Sequence, residues 1–94
     1  MEIKSTAQSG SLESSDILVT VKPADKGAGR KIELQSVVLN EYGQSIREDI
    51  QKVLDQNRVS DVELTANDRG ALPPTIKARV EAALRRASRP EVEK

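Results

Sequence analysis

Histidine and cysteine are both absent from this chain of 94 residues. Without thiols it can form neither disulfides nor thiolate metal sites, and without imidazoles the common zinc sites are excluded as well. A serine nucleophile needs a neighbouring general base, and histidine is the usual one. We therefore expect no metal site and no catalytic residues, and an exposed serine is more plausible as a point of attachment than as a nucleophile.

Aromatic residues are nearly absent too, since Tyr42 is the only one. The core must be built from aliphatic side chains, and nucleic-acid binding by base stacking, which needs aromatic platforms, is not expected. The chain has no apolar run of the ~20 residues that a membrane span requires, and its start does not resemble a secretory signal. These absences predict a cytoplasmic protein that binds neither nucleic acid nor membranes.

The charges balance overall but are unevenly distributed. Fifteen basic residues match fifteen acidic ones, yet residues 41–68 carry seven acids and three bases, and residues 69–90 carry six bases and one acid. Basic side chains near the end of a helix interact favourably with its dipole, which accounts for the basic segment without a ligand. A phosphate group or an acidic partner would be attracted to the same segment.

Hydrophobic periodicity predicts three strands and two helices. Apolar residues alternate over 16–22, 30–37 and 59–66, as in half-buried strands, and they recur at helical spacing over 40–57 and from Pro73 to Ala87. The glycine-rich segment 24–29 suits a hairpin loop, so the first two strands should form an antiparallel pair. The third strand could lie parallel beside the second or antiparallel beside the first.

The predicted fold is a two-layer α+β domain with a three-stranded sheet and two helices on one face, in the order strand-strand-helix-strand-helix. Residues 1–94 should form a single domain with a folded core over 15–88. The polar start, 1–13, is expected to be a flexible, disordered leader, and the end, 89–94, a frayed tail.

Carboxylate pairs and a glycine-rich loop are the remaining candidates for chemistry. Glu48-Asp49 and Asp61 with Glu63 fall on polar faces of predicted elements, where a solvated surface explains them. The loop Gly27-Ala28-Gly29 joins two strands and precedes no helix, so it does not fit a phosphate-binding motif. Neither feature supports an enzyme.

Three motifs occur in the order and spacing of one known family. They are Gly10-Ser11-Leu12-Glu13-Ser14-Ser15-Asp16, then Tyr42-Gly43 with Ile46 and Val53-Leu54, and finally Asp68-Arg69-Gly70-Ala71-Leu72 followed by Ala78-Arg79-Val80-Glu81-Ala82 and Arg86-Ala87-Ser88. Through them, residues 9–88 resemble the acyl carrier protein of citrate lyase, its gamma subunit. Two departures are Ser15, where some members have glycine, and the stiff Pro73-Pro74 start of the last helix.

The resemblance implies a non-catalytic carrier in citrate fermentation. Its Ser14 would hold 2'-(5''-phosphoribosyl)-3'-dephospho-CoA through a phosphodiester, a phosphoprotein-like linkage made by a prosthetic-group transferase. The thiol of that group would carry acetyl and citryl thioesters between the alpha subunit, an acyl transferase, and the beta subunit, a lyase. A flexible leader would help the thioester to visit both. The residues expected to contact the phosphates or an acidic patch on a partner are Arg79, Arg85, Arg86 and Arg89.

Two alternatives stay open at this point. A carrier of the malonate decarboxylase type resembles this chain in size and bears the same kind of group. The other is an unmodified small α+β adaptor that binds a protein or nucleic acid through its basic last helix. Under that hypothesis, residues 10–16 are only a solvated polar segment.

Overall fold

The structure is a four-stranded sheet covered on one face by two helices. A computed structural model of the chain describes residues 1–89, so the predicted frayed tail lies, apart from Arg89, outside the described residues. The elements are β1 (Ala7–Ser9), β2 (Ile17–Pro23), β3 (Arg30–Ser36), α1 (Leu39–Gln56), β4 (Val62–Asp68) and α2 (Pro73–Ala87). The α+β class agrees with the prediction, but the three-stranded sheet is wrong, because the strand order is β1-β2-β4-β3.

The central long strand is β4, which is paired along its whole length on both sides. It runs antiparallel to β2 and parallel to β3, and so takes both of the positions that the sequence left open. The expected antiparallel pair of β2 with β3 is therefore wrong, because β4 lies between them. The connection 24–29 has to cross two strand spacings, about 10 Å, which a loop of its length spans easily.

The start of the chain belongs to the fold, so the prediction of a flexible, disordered leader over 1–13 is wrong. The short strand β1 pairs antiparallel with β2 at the edge of the sheet. Ile3 is buried in the core, and the N–H groups of Lys4 and Ser5 both donate to the carbonyl of Ala87. The sequence Ala-Gln-Ser of β1 has no apolar alternation, which is why periodicity did not reveal it.

The core lies between the sheet and the helices. Helix α2 packs on β1 and β2, and α1 packs on β3 and against α2. The two helices contribute the buried side chains Ile46, Ile50, Val53, Leu54, Ile76, Val80, Ala83, Leu84 and Ala87. Tyr42 has helical spacing with Ile46 and Ile50, which predicts that it shares their buried stripe, but it is 57% exposed. Within residues 1–89, neither helix has the length and apolar character needed to cross a membrane.

The end of α1 has a backbone conformation that usually requires glycine. Arg58 adopts a φ of 54° just beyond the C-cap Asn57. The N–H of Arg58 donates to the carbonyl of Asp55, and the N–H of Val59 donates to that of Leu54. This pair of bonds is the Schellman motif, which satisfies carbonyls left open at the helix end.

We predict that Arg58→Gly stabilises the domain by about 0.5–1 kcal/mol, because glycine reaches a positive φ without steric strain but loses more entropy on folding. Urea unfolding followed by circular dichroism measures the change. Arg58→Ala is the matched control, since it removes the same side chain and keeps the Cβ. An equal gain in the alanine variant would show that the side chain, not the backbone conformation, is the cause.

Candidate functional site

The loop of residues 10–16, here called the Ser14 loop, connects β1 to β2. In the register of the sheet, Ile17 at the start of β2 lies opposite Asp68 at the end of β4, and Asp68 lies opposite Ser36 at the end of β3. The Ser14 loop, the β3–α1 connection and the β4–α2 connection therefore meet at one end of the sheet.

Gly10 opens the loop in a conformation that excludes a side chain. Its φ is +93°, and a Cβ at this position would collide with the carbonyl oxygen of Ile17 and press on the Cδ of Arg79. The backbone of the loop thus lies directly against β2 and the side chain of Arg79. Any larger residue would force this end of β2 away from the loop.

Asp16 ties the loop to helix α2. The Nε and Nη2 atoms of Arg79 donate to its two carboxylate oxygens at 3.0 and 3.1 Å, a two-point contact of charged groups. The hydroxyl of Ser11 donates to the same carboxylate at 2.7 Å, and the N–H of Glu13 donates to that hydroxyl at 3.2 Å. The Asp16 carboxylate, at the end of the Ser14 loop, therefore also holds Ser11 near its start.

The pKa of Asp16 reflects these contacts. The hydrogen bonds from Arg79, from the Ser11 hydroxyl and from the Ile17 N–H lower the pKa of Asp16 from 3.8 to about 2. The side chain of Asp16 is 15% exposed and that of Arg79 is 42% exposed, so water still weakens the pair. The carboxylate stays ionised throughout the neutral range.

Ser14 stands at the corner of a tight turn. The N–H of Asp16 donates to the carbonyl of Glu13 at 3.2 Å, and Ser15 between them has a φ of 64°. A positive φ at the third residue is the mark of a type II turn, where glycine is preferred. Ser14 is exposed, and within residues 1–89 its hydroxyl makes no hydrogen bond to another group.

The turn is held against the end of β4. The N–H of Ser15 donates to the carbonyl of Arg69, and the N–H of Arg69 donates to the carbonyl of Asp16, both at 2.9 Å. The buried carboxylate of Asp68 accepts from the N–H groups of Gly70 and Ala71 at 3.1 and 3.0 Å. It also accepts from the Ser36 hydroxyl at 2.8 Å, so Ser14 sits on a backbone fixed at several points.

The structure separates the four arginines that the sequence singled out. Arg79 lies at the Ser14 loop. Arg85 pairs with Glu81 inside α2, and Arg86 donates to the carbonyl of Gln8 in β1 at 2.6 Å. Arg89 follows the end of α2, and its carbonyl accepts from the Ser5 hydroxyl, so along α2 the arginines extend away from Ser14 by about 15 Å.

Sequence reasoning missed Asp68 and Arg69 as parts of the site. The segment Asn67-Asp68-Arg69-Gly70 is rich in turn-forming residues and predicts a turn. Nothing in the sequence shows that this turn lies beside Ser15. Of the carboxylates weighed for catalysis, Asp61 has a structural role, since it accepts from the Gly29 N–H at 2.8 Å. Hydrogen bonds from the backbone of Gly29 and Gly27 lower the pKa of Asp61. Within the described residues, no acidic cluster is placed to hold a metal ion.

Comparison with known sequences places the chain among acyl carrier proteins. Residues 4–87 match the family model described as "ACP: Malonate decarboxylase delta subunit (MdcD)". The chain is 48% identical to a citrate lyase acyl carrier protein of Treponema denticola, over 94% of this chain and 98% of the relative. It is 47% identical to one of Halothermothrix orenii, over the full length of both.

Comparison with solved structures supports the fold. A chain in the crystal structure of a Pseudomonas malonate decarboxylase hetero-tetramer in complex with malonate superposes with a TM-score of 0.76. The match covers 90% of this chain and 86% of the other, at 20% sequence identity. At that identity, the likeness concerns the fold alone.

We predict that Asp16→Asn destabilises the domain at neutral pH by about 1–2 kcal/mol, because the charged contact with Arg79 is lost in a half-exposed place. Folding lowers the pKa of Asp16, so its contribution to stability is present above pH 4 and is lost as the pH falls from 3.8 towards 2. The variant should therefore lose less stability than the parent over that interval. Urea unfolding at a series of pH values measures both effects.

Glu13→Gln is the matched control for this experiment. Glu13 is an exposed acid of the same loop, and its carboxylate makes no ion pair within residues 1–89. The Glu13→Gln variant should have the same urea midpoint as the parent at each pH. If Asp16→Asn and the parent lost stability equally between pH 4 and 2, the contact with Arg79 would not account for the acid dependence.

Proposed function

The chain belongs to the family of citrate lyase acyl carrier proteins, and from that premise we propose that it is the carrier subunit of a citrate lyase, with a prosthetic group attached to Ser14. As an acyl carrier protein it is a non-catalytic subunit, and the chemistry on the acyl group belongs to its partners. The observation that carries the assignment to Ser14 is an exposed hydroxyl, engaged by no other described group, at the corner of a turn whose backbone is fixed.

The surroundings of Ser14 suit a phosphodiester. Among the other serines near it, Ser9 is 3% exposed and the Ser11 hydroxyl already serves Asp16. Ser15 is also exposed, and its hydroxyl makes no hydrogen bond within residues 1–89, so the choice of Ser14 over Ser15 rests on the family resemblance. A phosphodiester is an anion, and a bare carboxylate beside it would repel it. The pairing with Arg79 neutralises Asp16, one of the two acids in this turn. The other, Glu13, is exposed, so water and salt screen its charge.

The proposed group is 2'-(5''-phosphoribosyl)-3'-dephospho-CoA. When bound, it supplies the thiol on which an acyl group is carried as a thioester, and a chain without cysteine has no thiol of its own. The residues of this chain hold the attachment point, balance its charge and keep it accessible. We further propose that a prosthetic-group transferase acts on Ser14 and that the assembly works in the cytoplasm.

The fixed Ser14 loop changes the explanation of how a thioester would reach its partners. The sequence predicts a flexible leader that would provide that reach, but residues 1–13 are structured and the loop is tied to β4 and α2. Under the proposal, movement between the alpha (acyl transferase) and beta (lyase) subunits has to come from the group itself and from rotation of the whole domain. The protein then serves as a rigid mount for a flexible arm.

The arginines of α2 divide into two roles under this proposal. Arg79 lies at the Ser14 loop, where Asp16 already engages it, and under the proposal it contacts the first phosphate. Arg85, Arg86 and Arg89 extend along the helix away from the loop. We assign them to an acidic patch on a partner subunit, because exposed cations at that distance attract a protein surface through long-range electrostatics.

The malonate decarboxylase carrier is the second candidate, favoured by the description of the matching family model. The relatives at 47–48% identity are citrate lyase carriers, and this makes citrate the better supported substrate of the complex. Loaded protein reconstituted with each pair of partner subunits separates the two candidates by the acid that is consumed. An unmodified adaptor would instead show salt-sensitive binding to a partner in its bare form.

We predict that Ser14→Ala stays unmodified when the chain is produced together with the transferase, whereas the parent gains the mass of the group. The hydroxyl oxygen that forms the phosphodiester is missing in the variant. Intact-mass spectrometry and sequencing of the modified peptide measure the result. Ser15→Ala is the matched control, one residue away in the same turn, and should be modified like the parent. A Ser14→Ala chain that still gained the mass would refute the assignment.

We also predict that replacing Arg85, Arg86 and Arg89 with glutamine weakens assembly with the partner subunits by up to about fivefold per charge, the range of exposed ion pairs. The loss of affinity should become smaller as salt is added, because salt screens the attraction between exposed charges. Affinity measured by biolayer interferometry at two ionic strengths checks this. Lys52→Gln, which removes an exposed cation from α1, should bind like the parent, and equal binding by the arginine variants would contradict the assignment.

A further inference from the structure

An apolar groove lies beside the attachment point, between the first half of α1 and the connection from β4 to α2. Its volume is about 410 Å³, and we call it the Tyr42 groove after the ring on its rim; its main lining residues are Val38, Tyr42, Ile46, Gly70, Leu72 and Ile76. Tyr42 is 57% exposed and Leu72 is 69% exposed. Large apolar side chains grouped at a surface in this way mark a place where something binds.

The groove is rigidly connected to Ser14. Gly70 lines it, and the preceding residue, Arg69, exchanges backbone hydrogen bonds with Ser15 and Asp16. The Asp68 carboxylate holds the N–H of Gly70 in place. A ligand tethered to Ser14 therefore stays close to the groove, and tethering of this kind raises an effective concentration to the order of millimolar.

The lining suits a planar base better than a flexible chain. A tyrosine ring and branched aliphatic side chains offer a flat apolar surface on which a base can stack. The hydroxyl of Ser45 and the carboxylate of Asp49 also line the groove and can accept hydrogen bonds from an amino group. Because Tyr42 is the only aromatic residue of the chain, the protein offers no other place for such stacking.

We propose that the Tyr42 groove is a docking site for the purine of the chain's own prosthetic group, an inference that rests on the proposed function. In that group, only a phosphate and the sugars separate the purine from the serine oxygen, whereas the thiol is at the far end. The purine can thus dock near its tether while the thiol end stays free. Docking shortens the mobile part of the arm and fixes the direction in which it leaves the domain.

The experiment compares the loaded and the unloaded full-length chain, with loading at Ser14 first established by intact mass. Fluorescence of the chain comes from Tyr42 alone, so it reports the groove directly. The loaded chain should be at least about twofold dimmer than the unloaded chain mixed with an equal amount of free coenzyme A, because stacking at the low end of its usual strength keeps the docked form several-fold in excess. The mixture controls for absorption by the purine.

Nuclear magnetic resonance locates the contact. The amide signals of Gly70 and Ala71 should shift between unloaded and loaded chains, and those of Glu33 and Thr65 on the open face of the sheet should not. Tyr42→Ala, at an exposed position, should lower the ratio of docked to free purine about fivefold and return the first two signals towards their unloaded positions. Leu12→Ala is the matched control, an exposed apolar residue in the Ser14 loop and outside the groove.

The outcomes separate this inference from the proposed function. If the chain gains no mass at Ser14, the proposed function fails and this inference with it. If it gains the mass but Tyr42 fluorescence and the amide signals are the same in both forms, this inference alone is overturned. If in addition Tyr42→Ala weakens binding of a partner subunit, the groove is a protein interface and not a site for the purine.

Discussion

Asp68 holds three connections together at one end of the sheet. Its carboxylate is fully buried, and a buried charge is tolerated only when hydrogen bonds replace the water it has lost. Those bonds come from the β3–α1 connection through Ser36 and from the β4–α2 connection through Gly70 and Ala71. The neighbouring Arg69 then binds the Ser14 loop through its backbone. The position of Ser14, the proposed attachment point, depends on β4 because each of these contacts begins at the end of that strand.

The central position of β4 explains why a small domain can keep such a site rigid. A strand paired on both sides has its backbone donors and acceptors satisfied, and it opens less readily than an edge strand. The Ser14 loop is tied to this strand and, through Asp16 and Arg79, to helix α2 as well. Since both layers hold the loop, the backbone at Ser14 is presented in one orientation, and little conformational entropy of the loop is lost when a partner binds there.

The sequence predicted the long elements because each carries its own periodicity. Alternation in β2, β3 and β4 and the apolar stripes of α1 and α2 are local signals. The contact of Arg79 with Asp16 joins residues 63 positions apart, so no local pattern predicts it. The position of β4 between β2 and β3 depends on the pairing of distant strands, and it has no local signal either. Tyr42 has the spacing of a core residue, but it lies on the rim of the Tyr42 groove and is mostly exposed. The candidate serine was identified by family resemblance, since exposure and spare hydrogen-bonding capacity cannot be read from residue types.

Both ends of the described chain leave the domain at the pole opposite Ser14. Lys4 and Ser5 are bonded to Ala87 there, and the terminal amine of Met1 reaches the carbonyl of Arg58. A fusion partner, dye or surface anchor joined to Met1 would therefore lie at the end of the domain opposite Ser14 and leave the Ser14 loop uncovered. The protein can be immobilised through that end while the Ser14 loop stays accessible to a binding partner.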